Sequence, residues 1–167
     1  MNHTHAPALP LALALVVLGT LTSFAQPILP PVARTIDRPA EFRERAGPPL
    51  QYLAAAGDVL AQRHAPPALL RIARQIAGNA RADLARLGVT RSLPRVPWGA
   101  KLEELRRLQP VDLPDGYVVD ARNALREVHA ESFAFANDRS DASVRATARQ
   151  IETHARAGLG MLRHQRR

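Results

Sequence analysis

The sequence predicts an all-α fold: four main helices and one short extra helix in an antiparallel up-and-down four-helix bundle, behind an N-terminal signal peptide. Three observations predict it. Apolar residues recur at spacings of three and four along most of the chain, so each segment has one apolar stripe. No segment alternates with period two for long enough to argue a strand. Aromatic residues make up only 4% of the chain while alanine and leucine abound, a composition suited to closely approaching helices rather than to a sheet.

The N-terminal segment is read first. Leu9 to Phe24 is an uncharged apolar run ending in Ser23-Phe24-Ala25. Small residues at Ser23 and Ala25 suit signal peptidase, so residues 1–25 are assigned as a signal peptide cleaved after Ala25. The run is short for a membrane span of about 20 residues, and Pro10 interrupts it. No lysine or arginine precedes it; His3 and His5 fall in the discarded segment. The expected location is therefore periplasmic or secreted, with membrane attachment only if the signal stays uncleaved.

Residues 26–40 contain Pro27, Pro30, Pro31 and Pro39 and read as an extended linker. The helical domain is assigned to 41–163 and a basic tail to 164–167. Gly47-Pro48-Pro49 interrupts the first helical pattern, and a helix then follows with Leu50, Leu53, Gly57 and Leu60 in one stripe. Pro66-Pro67 opens the next, with Leu69, Ala73, Ile76, Ala80, Leu84 and Leu87 inward and Gly88 as its C-cap. A loop from Gly88 to Pro97 leads past Trp98, expected over one end of the core, into a short helix carrying Leu102, Leu105 and Leu108. Asp112-Leu113-Pro114-Asp115 supplies cap chemistry for a long helix striped by Val118, Ala121, Leu125, Val128, Ser132 and Phe135. A polar turn, Asn137 to Ser140, precedes the last helix, with Asp141 as N-cap and Val144, Ala148, Ile151, Ala155 and Leu159 inward.

Composition excludes several function classes. The chain has no cysteine, which removes disulfides, thiolate metal sites and cysteine nucleophiles. The formal charge of +8 is almost entirely arginine, since Lys101 is the only lysine. The arginines are spread along every predicted helix, with a run only in the tail. A nucleic-acid footprint would be concentrated and interleaved with aromatics, which argues against that partner. An anionic envelope polymer or lipid remains the alternative partner for an arginine surface.

No nucleophile elbow, phosphate-binding glycine loop, zinc-protease helix motif or calcium loop is present, so the chain is not expected to be an enzyme. Glu-Xaa-Xaa-His, the i,i+3 pair that places two ligands on one metal in helical bundles, is also missing. Glu127-Val128-His129 and Glu152-Thr153-His154 have i,i+2 spacing, which turns the two side chains to different sides. His129 and His154 sit at the edges of two neighbouring stripes. They are the candidate ligands of a divalent metal, with Glu131 or Glu152 as carboxylate partners; otherwise no cofactor is expected.

With these elements placed, the chain resembles an exported bacterial family, domain of unknown function number four-one-four-two. The resemblance spans roughly Phe42 to Leu162. It rests on Leu60-Ala61, the Leu69-to-Ile76 run with Ala73, Tyr117 with Asp120 shortly after, and Ile151-Glu152-Thr153-His154. It implies a ferritin-like four-helix bundle behind a signal peptide. It also implies a ligand set that this chain has mostly lost. Tyr52 to Ala56 stands where the first helix has an acidic residue, Asn79-Ala80 where the second has Asp-His, and Leu125 where the third has histidine; only His154 matches. The expected function is an exported, non-enzymatic binding or envelope-stress role.

Overall fold

A computed structural model of the chain describes residues 38–90, 94–137, 141–163 and 165. The assigned signal peptide, most of the linker, residues 138–140 of the polar turn and nearly all of the basic tail lie outside these. The described chain is all-α, with α1 Arg38–Gln62, α2 Pro67–Arg86, α3 Trp98–Arg107, α4 Leu113–Ala136 and α5 Ala142–Arg163. No strand occurs among the described residues.

α1 corrects the sequence reading twice. It starts at Arg38, so Pro39 and Ala40 belong to its first turn and not to a linker. It then runs unbroken through Pro48 and Pro49. Neither proline has an N–H, so the carbonyls of Glu44 and Arg45 lose their i+4 donors. The helix survives because Gly47 carries no Cβ to clash with the Pro48 ring, and because Ala46, Gly47, Pro49 and Leu50 are all buried. Tertiary burial here outweighs a local breaker.

The expected stripes of α1, α2 and α4 are all buried. At Gly57 a Cβ would stand 2.6 Å from the Ala77 Cβ and 3.2 Å from the Ala73 carbonyl oxygen, so glycine sets how closely α1 and α2 approach. α2 ends in a Schellman motif: Val89 N–H donates to the Leu84 carbonyl (2.9 Å) and Gly88 N–H to that of Ala85 (3.1 Å). Gly88, at φ +65°, takes the left-handed position this turn requires. Asp112 precedes α4 but makes no side-chain cap, because its own backbone is already helical (φ −90°, ψ −17°). Asp141 does cap α5, its Oδ1 accepting from the N–H groups of Ser143 (2.8 Å) and Val144 (3.2 Å). In α5 the inward stripe continues through Gly158 and Leu162, while Leu159 is only half-buried.

Specific contacts give the helix directions. Phe42 packs at a tilt on Phe135 (centroids 4.8 Å apart) and Arg45 approaches Glu131 at 3.6 Å, so α1 and α4 are antiparallel. Gln51 reaches Thr90, and Arg81 reaches Ala54, which makes α1 and α2 antiparallel. Arg122 donates to the Leu162 carbonyl and His129 faces Glu152, fixing α4 against α5. Asp83 meets His154, and a Cβ on Gly158 would meet Ile76, fixing α2 against α5. The cycle α1–α2–α5–α4 therefore closes with every neighbouring pair antiparallel.

One consequence departs from the up-and-down expectation. α2 and α4 lie diagonally and run the same way, so the chain between them must travel the length of the molecule. α3 rides on that crossover, packed on α1 and α4. Trp98 is buried against Tyr52, with ring centroids 5.1 Å apart, and its indole N–H donates to Glu127 (3.2 Å). Arg63 at the far end of α1 donates to the carbonyls of Arg106 (2.7 Å) and Leu108 (2.8 Å), pinning the end of α3.

Candidate functional site

The centre of the helix cycle holds one buried charge. Asp83 of α2 is 1% exposed, and the sequence reading passed over it. His154 of α5 donates from Nδ1 to its carboxylate, 2.9 Å from Oδ1 and 3.0 Å from Oδ2. Arg86, one turn on, donates Nη1 to Oδ1 at 3.0 Å. Burial pushes the Asp83 carboxyl above its usual range, and the charges of His154 and Arg86 oppose that rise. A signal for Asp83 did exist. It lies seven residues after Ile76 and three after Ala80, on the apolar stripe, where a carboxylate needs a partner.

The other two helices of the cycle offer nothing charged at this level. Leu50 and Leu53 of α1 and Leu125 and Val128 of α4 line the same small void, with Asn79 half-buried at its edge. The void admits about 10 Å³ of water-centre space, room for a single water at most.

The structure does not bring the two candidate histidines to one point. His129 Nε2 lies 3.7 Å from Glu152 Oε1, too long for a hydrogen bond, and Glu152 also pairs with Arg156. His154 turns to α2. Glu152 and His154 are two residues apart on α5, so they leave it on different flanks, as their spacing predicts. Glu131 faces Arg45. Among the described residues no group of three or more His, Asp or Glu side chains is placed to hold a metal ion. A divalent metal fits the centre poorly on chemical grounds. It would find one carboxylate, one imidazole and the half-buried Asn79 amide in an otherwise apolar lining, with the Arg86 guanidinium already on the carboxylate oxygen it needs.

A second polar group lies between α1, α3 and α4. Asp120 is 8% exposed, with Lys101 Nζ at 3.6 Å; burial raises its carboxyl, Lys101 opposes this and Glu104 adds to it. The Tyr52 and Tyr117 hydroxyls are buried without a protein partner among the described residues. Burial raises both phenols, so neither is a ready base or nucleophile. Ser132, on the inward stripe of α4, is fully buried, and its hydroxyl also lacks a partner among the described residues.

No protein-family profile, curated protein or solved structure matches the chain.

Proposed function

We propose that the chain is an exported, non-enzymatic binding protein built on a ferritin-like four-helix bundle whose interior site is closed by a structural ion pair. The antiparallel cycle with one long crossover supports the bundle reading, because that connectivity is the ferritin-like one. The apolar run ending at Ala25 supports export. The observation that carries the functional reading is Asp83, held by His154 and Arg86 and surrounded by leucines where a bundle metal site would need carboxylates. A centre so neutralised leaves the surface as the part of the molecule that meets a partner.

Metal content and metal-dependent melting test this. The purified chain is expected to carry no stoichiometric divalent metal, and its melting temperature to stay the same with added zinc, manganese or chelator. Stoichiometric metal, with a melting shift that disappears in both Asp83→Asn and His154→Ala, would overturn the reading and return the centre to metal chemistry. A shift that disappears only in His129→Ala would place the site between α4 and α5 instead.

A further inference from the structure

The arginines look evenly scattered in sequence, yet two sets of them share a face. On α4, Arg122, Arg126, His129 and Phe133 recur at spacings of four, three and four, one stripe of the helix. On α5, Arg149, Glu152 and Arg156 repeat at three and four, and Arg163 falls two turns further along the same line. The His129–Glu152 approach and the Arg122 bond to Leu162 lay these stripes side by side. Arg126, Arg149, Arg156 and Arg163 are exposed, Arg156 with 70% of its side chain free. Glu152 is the only carboxylate along the two stripes, and Arg156 and His129 already attend it. Asp115 and Asp141 lie beyond them, in the first turn of α4 and at the cap of α5.

The same face carries an exposed aromatic ring. Phe133 is 55% exposed and stacked on His129 with centroids 6.4 Å apart. A fully hydrated polymer would match the arginines but leave this ring in water. A bilayer surface of acidic phospholipid matches both: guanidinium groups bind phosphodiesters in a bidentate fork, and an aromatic ring settles at the headgroup level. No helix of the described residues is long and apolar enough to cross a membrane, so the contact would be peripheral.

We propose that the α4–α5 face docks on an acidic phospholipid surface through Arg126, Arg149 and Arg156, with Phe133 entering the interface. This rests on the surface-binding reading above. It is tested by co-sedimentation with vesicles of phosphatidylcholine alone and mixed with phosphatidylglycerol. Both the full chain and its compact unit Thr35–Arg167, which holds the whole described core, are used. The expected result is binding that needs phosphatidylglycerol and weakens with salt. The triple variant Arg126→Gln, Arg149→Gln, Arg156→Gln should lose about a hundredfold in partition, roughly fivefold per arginine. Phe133→Ser should lose severalfold with the salt dependence unchanged. Arg71→Gln with Arg74→Gln, on the exposed face of α2, should bind as the wild type does, and circular dichroism should show every variant folded.

Equal sedimentation with both vesicle types would overturn the proposal, as would an α2 variant that loses as much as the triple. Soluble polyphosphate binding as tightly as vesicles, with Phe133→Ser without effect, would assign the face to a polymer and overturn the lipid assignment. The metal measurement is independent of these outcomes. Failed vesicle binding with a metal-free chain would sink only the lipid surface, whereas stoichiometric metal would sink the functional reading itself.

Discussion

At Asp83 a carboxylate is held away from water by leucines and closed by the His154 imidazole and the Arg86 guanidinium, both partly exposed. Desolvation outweighs their attraction, so its carboxyl is raised. The sign of the pH effect follows. A carboxyl raised above its unfolded value of about 3.9 binds its proton more tightly in the folded chain. Its contribution to stability is complete below the unfolded value and is lost as pH climbs through the folded one. Denaturation of wild type and Asp83→Asn, compared from about pH 3 to about pH 7, should therefore show the wild type losing stability relative to the variant as pH rises. The reverse slope would mean that the attraction of His154 and Arg86 outweighs burial. At this scale the sequence was half legible. His154 stood out as a polar residue at a stripe edge, but its partner lies 71 positions away, and no spacing rule reaches that far.

Helix contacts are set by small residues, and two glycines separate the causes. Gly57→Ala would place a methyl 2.6 Å from Ala77 and against the backbone of Ala73. The two helices would have to part, at a cost of about 1–3 kcal/mol for overpacking that exceeds the gain of up to about 1 kcal/mol in helix propensity. On the exposed side of α2, a methyl added at Gly78 would meet nothing within 4 Å, so Gly78→Ala should stabilise by about 0.5–1 kcal/mol. Thermal melting of the two variants should move in opposite directions, and a stabilised Gly57→Ala would show that α1 and α2 are free to slide. Stripes, the Gly88 turn and the Asp141 cap were readable because each is a local rule. Pro48 and Pro49 misled because their cost is local while the burial that offsets it comes from other helices.

Across the whole molecule the charge is unbalanced, with a formal excess of +8. The described ion pairs are mostly exposed and short in sequence separation, such as Arg38–Glu41 and Lys101–Glu104, each worth little. Like-charge repulsion along the α4–α5 face should therefore dominate the salt response. Added sodium chloride is expected to raise the melting temperature of the chain, most steeply at low ionic strength where screening changes fastest. A melting temperature that falls with salt would mean the ion pairs outweigh the excess charge.

The sequence by itself determined the helix content, the inward stripes, the α2 terminus and the cap of α5. These depend on residues within a turn or two of one another, where backbone geometry fixes who meets whom. Tertiary structure alone decided three things. It carried α1 through its prolines, it joined Asp83 to His154, and it turned the arginine stripes of α4 and α5 to one side so that dispersed arginines became one face. Each depends on which helices lie side by side, and that follows from the crossover between α2 and α4. A stripe records that a helix buries one side, but it carries no mark of the neighbour against which that side is buried.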